Sequence, residues 1–256
     1  MSFSDWWTNS NNPKLSKSEY MWSFKHILMI AIAISITVLL SIIFYKKSEK
    51  AKNILLKVLA SILLFFEILS RIVNLIILDV YSFQNIFKII MPLHICSVAV
   101  WVLIIGIFTK KQILLNFTSI VAILATVAFL LQPAVGINRV YLSFTCLYSV
   151  TSHILGFVVS VLLITLKFAK FEFKKIYQIF LCFTVMFLWG VIVDFVILPG
   201  NTENYMYLMS DPLELNLSFP YHLLYIVILS AYISIYYLVY YLVNKKKLKL
   251  QANGKK

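Results

Sequence analysis

The stretch that decides the fold is residues 24–45, FKHILMIAIAISITVLLSIIFY, which is apolar apart from one lysine and one histidine near its start. A helix of about 20 residues crosses the roughly 30 Å hydrocarbon core of a bilayer. Further apolar stretches of similar length follow at 55–80, 91–109, 113–135, 143–168, 176–199 and 221–244. Backbone polar groups in lipid must be hydrogen-bonded within their own segment, which leaves helices at this length. The sequence therefore predicts an all-α polytopic membrane helical bundle of about seven transmembrane helices.

The overall composition supports the same class of protein. Of the 256 residues, 61% are hydrophobic and only 13% are charged, and the mean hydropathy is +0.90. These values exclude an ordinary soluble globule. With no internal repeat and no soluble second domain, we expect an extracytoplasmic arm at 1–23, a transmembrane domain at 24–244 and a basic cytoplasmic tail at 245–256.

The formal net charge of +13 is distributed according to membrane topology. Alternate loops and the tail carry 16 of the 23 Lys and Arg residues: Lys46, Lys47, Lys50, Lys52, Lys110, Lys111, Lys167, Lys170, Lys174, Lys175, Lys245, Lys246, Lys247, Lys249, Lys255 and Lys256. The positive-inside rule puts this side in the cytoplasm and the N-terminus outside. The charge therefore does not indicate nucleic-acid binding.

This orientation gives a testable topology. We expect a reporter fused after Lys256 to lie in the cytoplasm and a tag inserted in the 200–220 loop to lie outside, because the cations segregate to one side. Protease protection in intact spheroplasts measures both. Finding the two reporters on the same side would contradict the predicted orientation.

Polar and ionisable side chains inside the predicted spans indicate a functional site. Each ionisable group costs at least about 2.5 kcal/mol in hydrocarbon unless it is paired or wetted. The groups are Glu67, Arg71, Asn74, His94, Cys96, Gln132, His153, Asp194 and His222, and most of them fall in the outer half of the predicted bundle. We therefore expect a site close to the outer leaflet.

Among these groups Cys96 indicates chemistry. The three cysteines are too few and too scattered for a disulfide framework or a metal site, and we predict neither a metal nor another cofactor. A thiol needs a nearby base to become a nucleophile. His94 is a poor geometric partner for Cys96, whereas His153, on another helix at similar depth and on the same face as Ser149, is a better one. The alternative for each histidine is packing or interhelical hydrogen bonding.

Two interpretations of Arg71 stay open. Glu67 and Arg71 are four residues apart, so they can neutralise each other on one helix face. The planar guanidinium also matches a lipid phosphate in bidentate geometry. Asp194 could orient a histidine, pair with Arg71 or line a water-filled entrance.

Several short motifs resemble a known family. They are Pro92-Leu93-His94-Ile95-Cys96, Gln132-Pro133, the Ser-His-Ile-Leu around His153, and Asn204-Tyr205-Met206-Tyr207-Leu208 followed by Asp211-Pro212. In order and topology they resemble the YwaF-like bacterial integral membrane proteins. That family is similar to the eukaryotic transmembrane protein 164 acyltransferases and, more distantly, to the androgen-induced-gene type of intramembrane hydrolases, which pair a Thr nucleophile with a His.

The resemblance implies a catalytic pair. It assigns Cys96 as the nucleophile and His153 as its base, with Asn204 and Tyr205 in a supporting loop. An aromatic residue is expected at or near His222, so the role of His222 is not carried over. Supporting or substrate-binding roles are expected for Arg71, Asn74, His94, Gln132, Ser149, Asp194, Asn204, Tyr205 and His222.

The sequence therefore predicts an acyltransferase or lipid hydrolase of the plasma membrane that acts on lipid acyl esters. Membrane lipids are its expected partners, and the sequence does not specify an oligomeric state. A multi-pass transporter or lipid translocator with a relay of Arg71, His153 and Asp194 is the alternative. A noncatalytic lipid-binding subunit is the third possibility, and in that case none of these side chains is essential.

Overall fold

The computed structural model describes residues 6–7, 12–77, 82–133, 136–200, 205–207 and 221–253. Its helices are α1 (Lys17–Tyr20), α2 (Phe24–Tyr45), α3 (Glu49–Ile77), α4 (Phe83–Ile90), α5 (Ile95–Thr109), α6 (Gln112–Leu131), α7 (Phe144–Thr165), α8 (Ile176–Ile192) and α9 (Tyr221–Asn253). Within these ranges there is no strand. Six helices are long and apolar enough to cross a membrane, or up to seven spans if the bent pair α4 and α5 counts as one. The predicted polytopic helical bundle is confirmed.

Serine residues begin three of the helices. The Ser23, Ser82 and Ser143 hydroxyl oxygens accept hydrogen bonds from the backbone N–H groups of His26, Asn85 and Cys146. Each bond satisfies one of the N–H groups that a helix leaves unpaired in its first turn. This local chemistry explains why α2, α4 and α7 begin where they do.

The third predicted segment is broken. α4 and α5 form a pair bent by 58° across a short break, which is the geometry of a broken span or a re-entrant loop. Pro92 lies in the break, has no N–H to donate, and disfavours the helical conformation at the residue before it. Met91 accordingly has φ −81° and ψ 145°, an extended conformation. The sequence analysis predicted the start of this span near residue 91 and did not predict α4.

Two other helices are longer than predicted. α3 begins at Glu49 instead of residue 55, and Glu49 forms an ion pair with the buried Lys52, with Nζ and Oε1 2.9 Å apart. α9 continues to Asn253, beyond the predicted end of the last span at 244.

The chain divides into two compact units, residues 1–169 and 170–256. In the first unit α7 is central, and α2, α3, α5 and α6 all pack against it. Gly156 on α7 allows this close approach, since a Cβ there would lie 3.1 Å from Cγ2 of Thr126 on α6. The second unit contains α8 and α9, and the Phe171 ring packs edge-on against Tyr236, Tyr237 and Tyr240.

The N-terminal segment is bound to the connection between α6 and α7. The Asn12 side chain donates to the Tyr141 carbonyl at 2.7 Å and accepts from its N–H at 3.0 Å. The Arg139 guanidinium donates to the Asn12 carbonyl at 2.6 Å, and the Leu15 N–H donates to the Asn138 carbonyl at 2.8 Å. These bonds fix the end of the first unit at which α6 ends and α7 begins.

Candidate active site

Cys96 is the second residue of α5, immediately after the break in the span. The N-cap residue is His94, whose side chain makes no capping hydrogen bond to the helix. The first backbone bond of this helix runs from the Val98 N–H to the His94 carbonyl. The N–H groups of the first turn are therefore not used within the helix, and Cys96 lies in that turn. Cysteines at helix N-termini are typically the reactive ones.

A buried polar network lies beside this thiol. The Glu67 carboxylate on α3 is only 1% exposed and accepts from Arg71 Nη1 at 2.6 Å. Its other oxygen accepts from the Tyr148 hydroxyl on α7 at 2.8 Å. Cys96 interacts electrostatically with both Glu67 and Tyr148. The sequence prediction that Glu67 and Arg71 pair on one helix face is confirmed.

Arg71 also contacts both helices of the bent pair α4 and α5. Its Nε donates to the carbonyl of Ile90, the last residue of α4, at 2.9 Å. Its guanidinium carbon lies 5.1 Å from the ring centroid of Trp101 on α5, a cation–π contact. Arg71 therefore connects α3 to both halves of the broken span.

His153 lies five residues after Tyr148 on α7 and has a defined tautomer. Its Nδ1 is 2.7 Å from the Ser149 carbonyl one turn earlier. A carbonyl oxygen can only accept, so Nδ1 carries the proton and Nε2 is left as the acceptor. The Phe129 ring stacks on the imidazole with centroids 3.6 Å apart and planes 12° apart. A neutral imidazole with a fixed orientation and a basic Nε2 is suited to general-base catalysis.

His26 has the opposite arrangement. Its Nδ1 accepts from the Trp22 N–H at 2.9 Å, and its Nε2 lies 2.7 Å from the Leu130 carbonyl. Both ring nitrogens of this fully buried side chain are therefore used in backbone hydrogen bonds. His26 fastens α2 to the end of α6 and has no nitrogen left for proton transfer.

Cys96 and His153 lie in the same unit but are not joined directly. Among the hydrogen bonds of the described residues, none connects the two side chains. His153 is five residues beyond Tyr148, which corresponds to about 7–8 Å along the axis of α7. The Tyr148 hydroxyl thus connects α7 to Glu67 about one and a half turns before His153.

The remaining predicted residues of the first unit lie in varied positions. Ser149 is buried and supplies the carbonyl that orients His153. Asn74 is half-buried one turn beyond Arg71, and His94 is exposed at the break. Gln132 is exposed directly after α6, so the structure does not bring its side chain into the polar network. Among the described residues no disulfide joins any of the three cysteines, and Cys146 is buried and Cys182 half-buried.

In the second unit, Asp194 is a buried carboxylate in a π-helical turn, Val193–Ile197, which continues α8. Neither of its oxygens has a hydrogen-bond partner in the part of the chain that the structure describes. Tyr205 is buried in a short turn beside Met206, which has a left-handed φ of 53°. Asn204 and the side chain of His222 lie outside the described residues.

A comparison with protein families assigns the chain. The model of the TMEM164 family matches residues 21–241. The chain belongs to the TMEM164 family. The family match includes α2 through α8 and most of α9, together with Cys96 and His153. No curated protein and no solved structure matches the chain.

Three residues of the site were missed by the sequence analysis. Tyr148 bonds Glu67, Trp101 covers Arg71 and Phe129 stacks on His153. The sequence could have indicated a role for Tyr148, because the hydroxyl of a buried tyrosine usually forms a hydrogen bond with a polar partner. Nothing in the spacing distinguishes Trp101 or Phe129 from ordinary apolar residues of a span.

Gly136 gives a prediction about the orientation of His153. A Cβ at residue 136 would lie 2.8 Å from Cζ of Phe129 and 2.9 Å from Cγ2 of Val150. We expect Gly136→Ala to displace the Phe129 ring and to destabilise the fold by about 1–3 kcal/mol, as overpacking does. Thermal unfolding and the His153 ring resonances measure the effect. Gly200→Ala is a control for the His153 resonances only, because its added Cβ would meet no atom within 4 Å but its φ of 77° strains an alanine and lowers stability by itself. Equal changes in the His153 resonances of both variants would contradict this interpretation.

Proposed function

We propose that this TMEM164-family membrane protein is an acyl-transfer enzyme with Cys96 as nucleophile and His153 as base. The single observation that carries the proposal is the position of Cys96 in the uncapped first turn of α5, at the break in a membrane span. A helix N-terminus favours negative charge through its free N–H groups. These groups stabilise both a thiolate and the oxyanion that forms when the thiolate attacks an ester.

The proposed reaction has two half-reactions. His153 Nε2 accepts the thiol proton, the sulfur bonds to the carbonyl carbon of a lipid ester, and the ester C–O bond breaks. The leaving alkoxide takes the proton from His153. In the second half-reaction an acceptor O–H gives its proton to His153 and its oxygen bonds to the thioester carbon. The C–S bond then breaks, and the Cys96 sulfur takes the proton back from His153. The described structure has no hydrogen bond between Cys96 and His153, so the proposed reaction requires the two side chains to come within hydrogen-bond distance when substrate binds.

The positions of Cys96 and His153 in the chain support a proposal for the substrate and the location. His153 lies in a helix long and apolar enough to cross a membrane, and Cys96 lies at the break of the bent pair α4 and α5; in the proposal the acyl ester reaches them from the bilayer. We propose membrane lipids as donors, a site in the outer leaflet of a bacterial plasma membrane, and a place among the YwaF-like members of the family. The positive-inside distribution of Lys and Arg and the Pro92-Leu93-His94-Ile95-Cys96 motif support this assignment.

Reconstitution tests the reaction. The full chain in liposomes of phosphatidylcholine with a labelled acyl chain is expected to release lysophosphatidylcholine, and mass spectrometry follows the labelled chain. Transfer of the label to added lysolipid identifies a transferase, and labelled free fatty acid identifies a hydrolase. If the donor lipid is not consumed in a Cys96-dependent way, either with added lysolipid or with water as acceptor, the proposed enzyme is refuted.

One observation favours the second candidate, a transporter or lipid translocator. Asp194 is 2% exposed, and its two carboxylate oxygens have no partner in the described structure. Buried ionisable groups in spans typically mark ion or proton pathways, and π-helical turns are frequent at functional sites. In this candidate Asp194→Asn abolishes proton-coupled flux while Cys96→Ala does not. If the protein is an acyl-transfer enzyme, Cys96→Ala abolishes acyl transfer and Asp194→Asn does not.

A further inference from the structure

We propose that Arg71, Glu67 and Tyr148 form a positioning network that holds the broken span in place and thereby fixes Cys96. In this proposal Arg71 acts through protein contacts and not as a ligand for a lipid phosphate. Only the turnover part of its test rests on the proposed function, because the reactivity of Cys96 reports on the network by itself.

The guanidinium of Arg71 is already engaged on both of its useful edges. Nε donates to the Ile90 carbonyl. Nη1 donates to the Glu67 side chain at 2.6 Å and to the Glu67 carbonyl at 2.9 Å. Bidentate binding of a phosphate requires two neighbouring nitrogens along one edge. Each edge has one of its two nitrogens occupied, so capturing a phosphate would break a bond to Glu67 or to Ile90.

The hydrogen bond from Arg71 to the Ile90 carbonyl holds the connection between α4 and α5 in place. Ile90 ends α4, and its carbonyl is one of those that a helix leaves unpaired at its C-terminus. Only residues 91–94 separate α4 from α5, and Pro92 restricts this connection further. Fixing the Ile90 carbonyl therefore fixes the chain six residues before Cys96. Trp101, which lies under the guanidinium, holds α5 from the other side of the break.

The bond from Tyr148 connects the same network to the helix of the base. Tyr148 and His153 are both on α7, and the Tyr148 hydroxyl donates to Glu67 at 2.8 Å. α3 and α7 thus meet at one carboxylate that is 1% exposed, and its partner Arg71 contacts α5 through Trp101. Loss of a single bond in this network is expected to loosen the placement of Cys96 relative to α7.

The test uses the full chain in liposomes with Cys146→Ala and Cys182→Ala, so that Cys96 is the single thiol. Tyr148→Phe removes one hydroxyl and keeps the ring, and Arg71→Lys keeps the charge but cannot bond Ile90 and Glu67 together. Lys175→Gln, which breaks the exposed Glu172–Lys175 ion pair, is the matched control. The rate of N-ethylmaleimide addition to Cys96 is followed by intact mass. Turnover is compared on phosphatidylcholine and on diacylglycerol, which has no phosphate.

We expect Cys96 to be labelled about fivefold faster in both network variants than in the control. The reason is that the loss of one net hydrogen bond makes local opening more frequent by about this factor. The kcat is expected to fall on both donors alike with little change in KM. Unchanged labelling in both variants would overturn the proposal. A defect of Arg71→Lys confined to phosphatidylcholine would also overturn it and identify Arg71 as a phosphate ligand. Absence of turnover in the wild-type chain would refute the proposed enzyme and leave the labelling test intact.

Discussion

Cys96→Ala and His153→Ala are each expected to lower acyl transfer by about 10³-fold or more, and the double variant is expected to be no slower than either single variant. Residues that act as a unit in one reaction are strongly non-additive. The physical reason is that without the thiol no thioester forms, and without Nε2 the thiol proton has no acceptor. Initial rates of labelled-acyl transfer in liposomes measure all three variants.

Two sets of controls accompany this experiment. Cys146→Ala and Cys182→Ala remove the other thiols and are expected to retain wild-type rates. His26→Leu removes the histidine whose two nitrogens both bond backbone groups. It should lower the melting temperature, and the rate of the folded fraction should be unchanged. Additive losses in the Cys96 and His153 variants would instead indicate independent packing roles.

Glu67→Leu is expected to be the most destabilising single substitution in the network, by about 3–5 kcal/mol, because it leaves a largely buried Arg71 without its counter-ion. The double variant Glu67→Leu/Arg71→Leu removes both charges and is expected to recover most of this loss. Some cost remains because the Tyr148 hydroxyl loses its acceptor, worth about 1–3 kcal/mol. Thermal unfolding in one detergent measures the series.

Adding Tyr148→Phe to the double variant should recover part of that remaining loss. Glu172→Leu is the matched control, since the ion pair of Glu172 with Lys175 is exposed on both sides and surface pairs contribute about 0–1 kcal/mol. Equal melting temperatures for Glu67→Leu and the double variant would contradict the buried-pair account. If the double variant recovers stability but loses turnover, the network is needed to position Cys96 and not only for folding.

The sequence was sufficient for the parts of this fold that depend on local spacing. Apolar stretches of about 20 residues located the spans, and the separation of four residues between Glu67 and Arg71 located their ion pair. The helix α4 was missed because eight residues containing Lys88 are too short to stand out as a span. Its signals were local, namely Ser82 as cap and apolar residues three or four apart.

The contacts between helices could not be predicted in the same way. The bond between Tyr148 and Glu67 depends on how α3 and α7 are rotated and shifted relative to each other, and periodicity within one helix does not specify that. The tautomer of His153 depends on the carbonyl of Ser149, four residues earlier on the same helix, so residue spacing was sufficient to predict it. The stacking of Phe129 and the lack of a hydrogen-bond partner for Asp194 among the described residues depend on packing that no motif indicates.

Intact-protein mass spectrometry tests the central claim most directly. The Cys146→Ala/Cys182→Ala protein is incubated with phosphatidylcholine carrying one defined acyl chain, without added acceptor, and is then quenched in acid to preserve a thioester. The account predicts a mass increase of one acyl chain that neutral hydroxylamine removes and that Cys96→Ala abolishes. In His153→Ala the adduct is expected to form far more slowly. An unchanged mass for the wild-type protein during measurable turnover, or an adduct that persists in Cys96→Ala, would contradict Cys96 as the nucleophile.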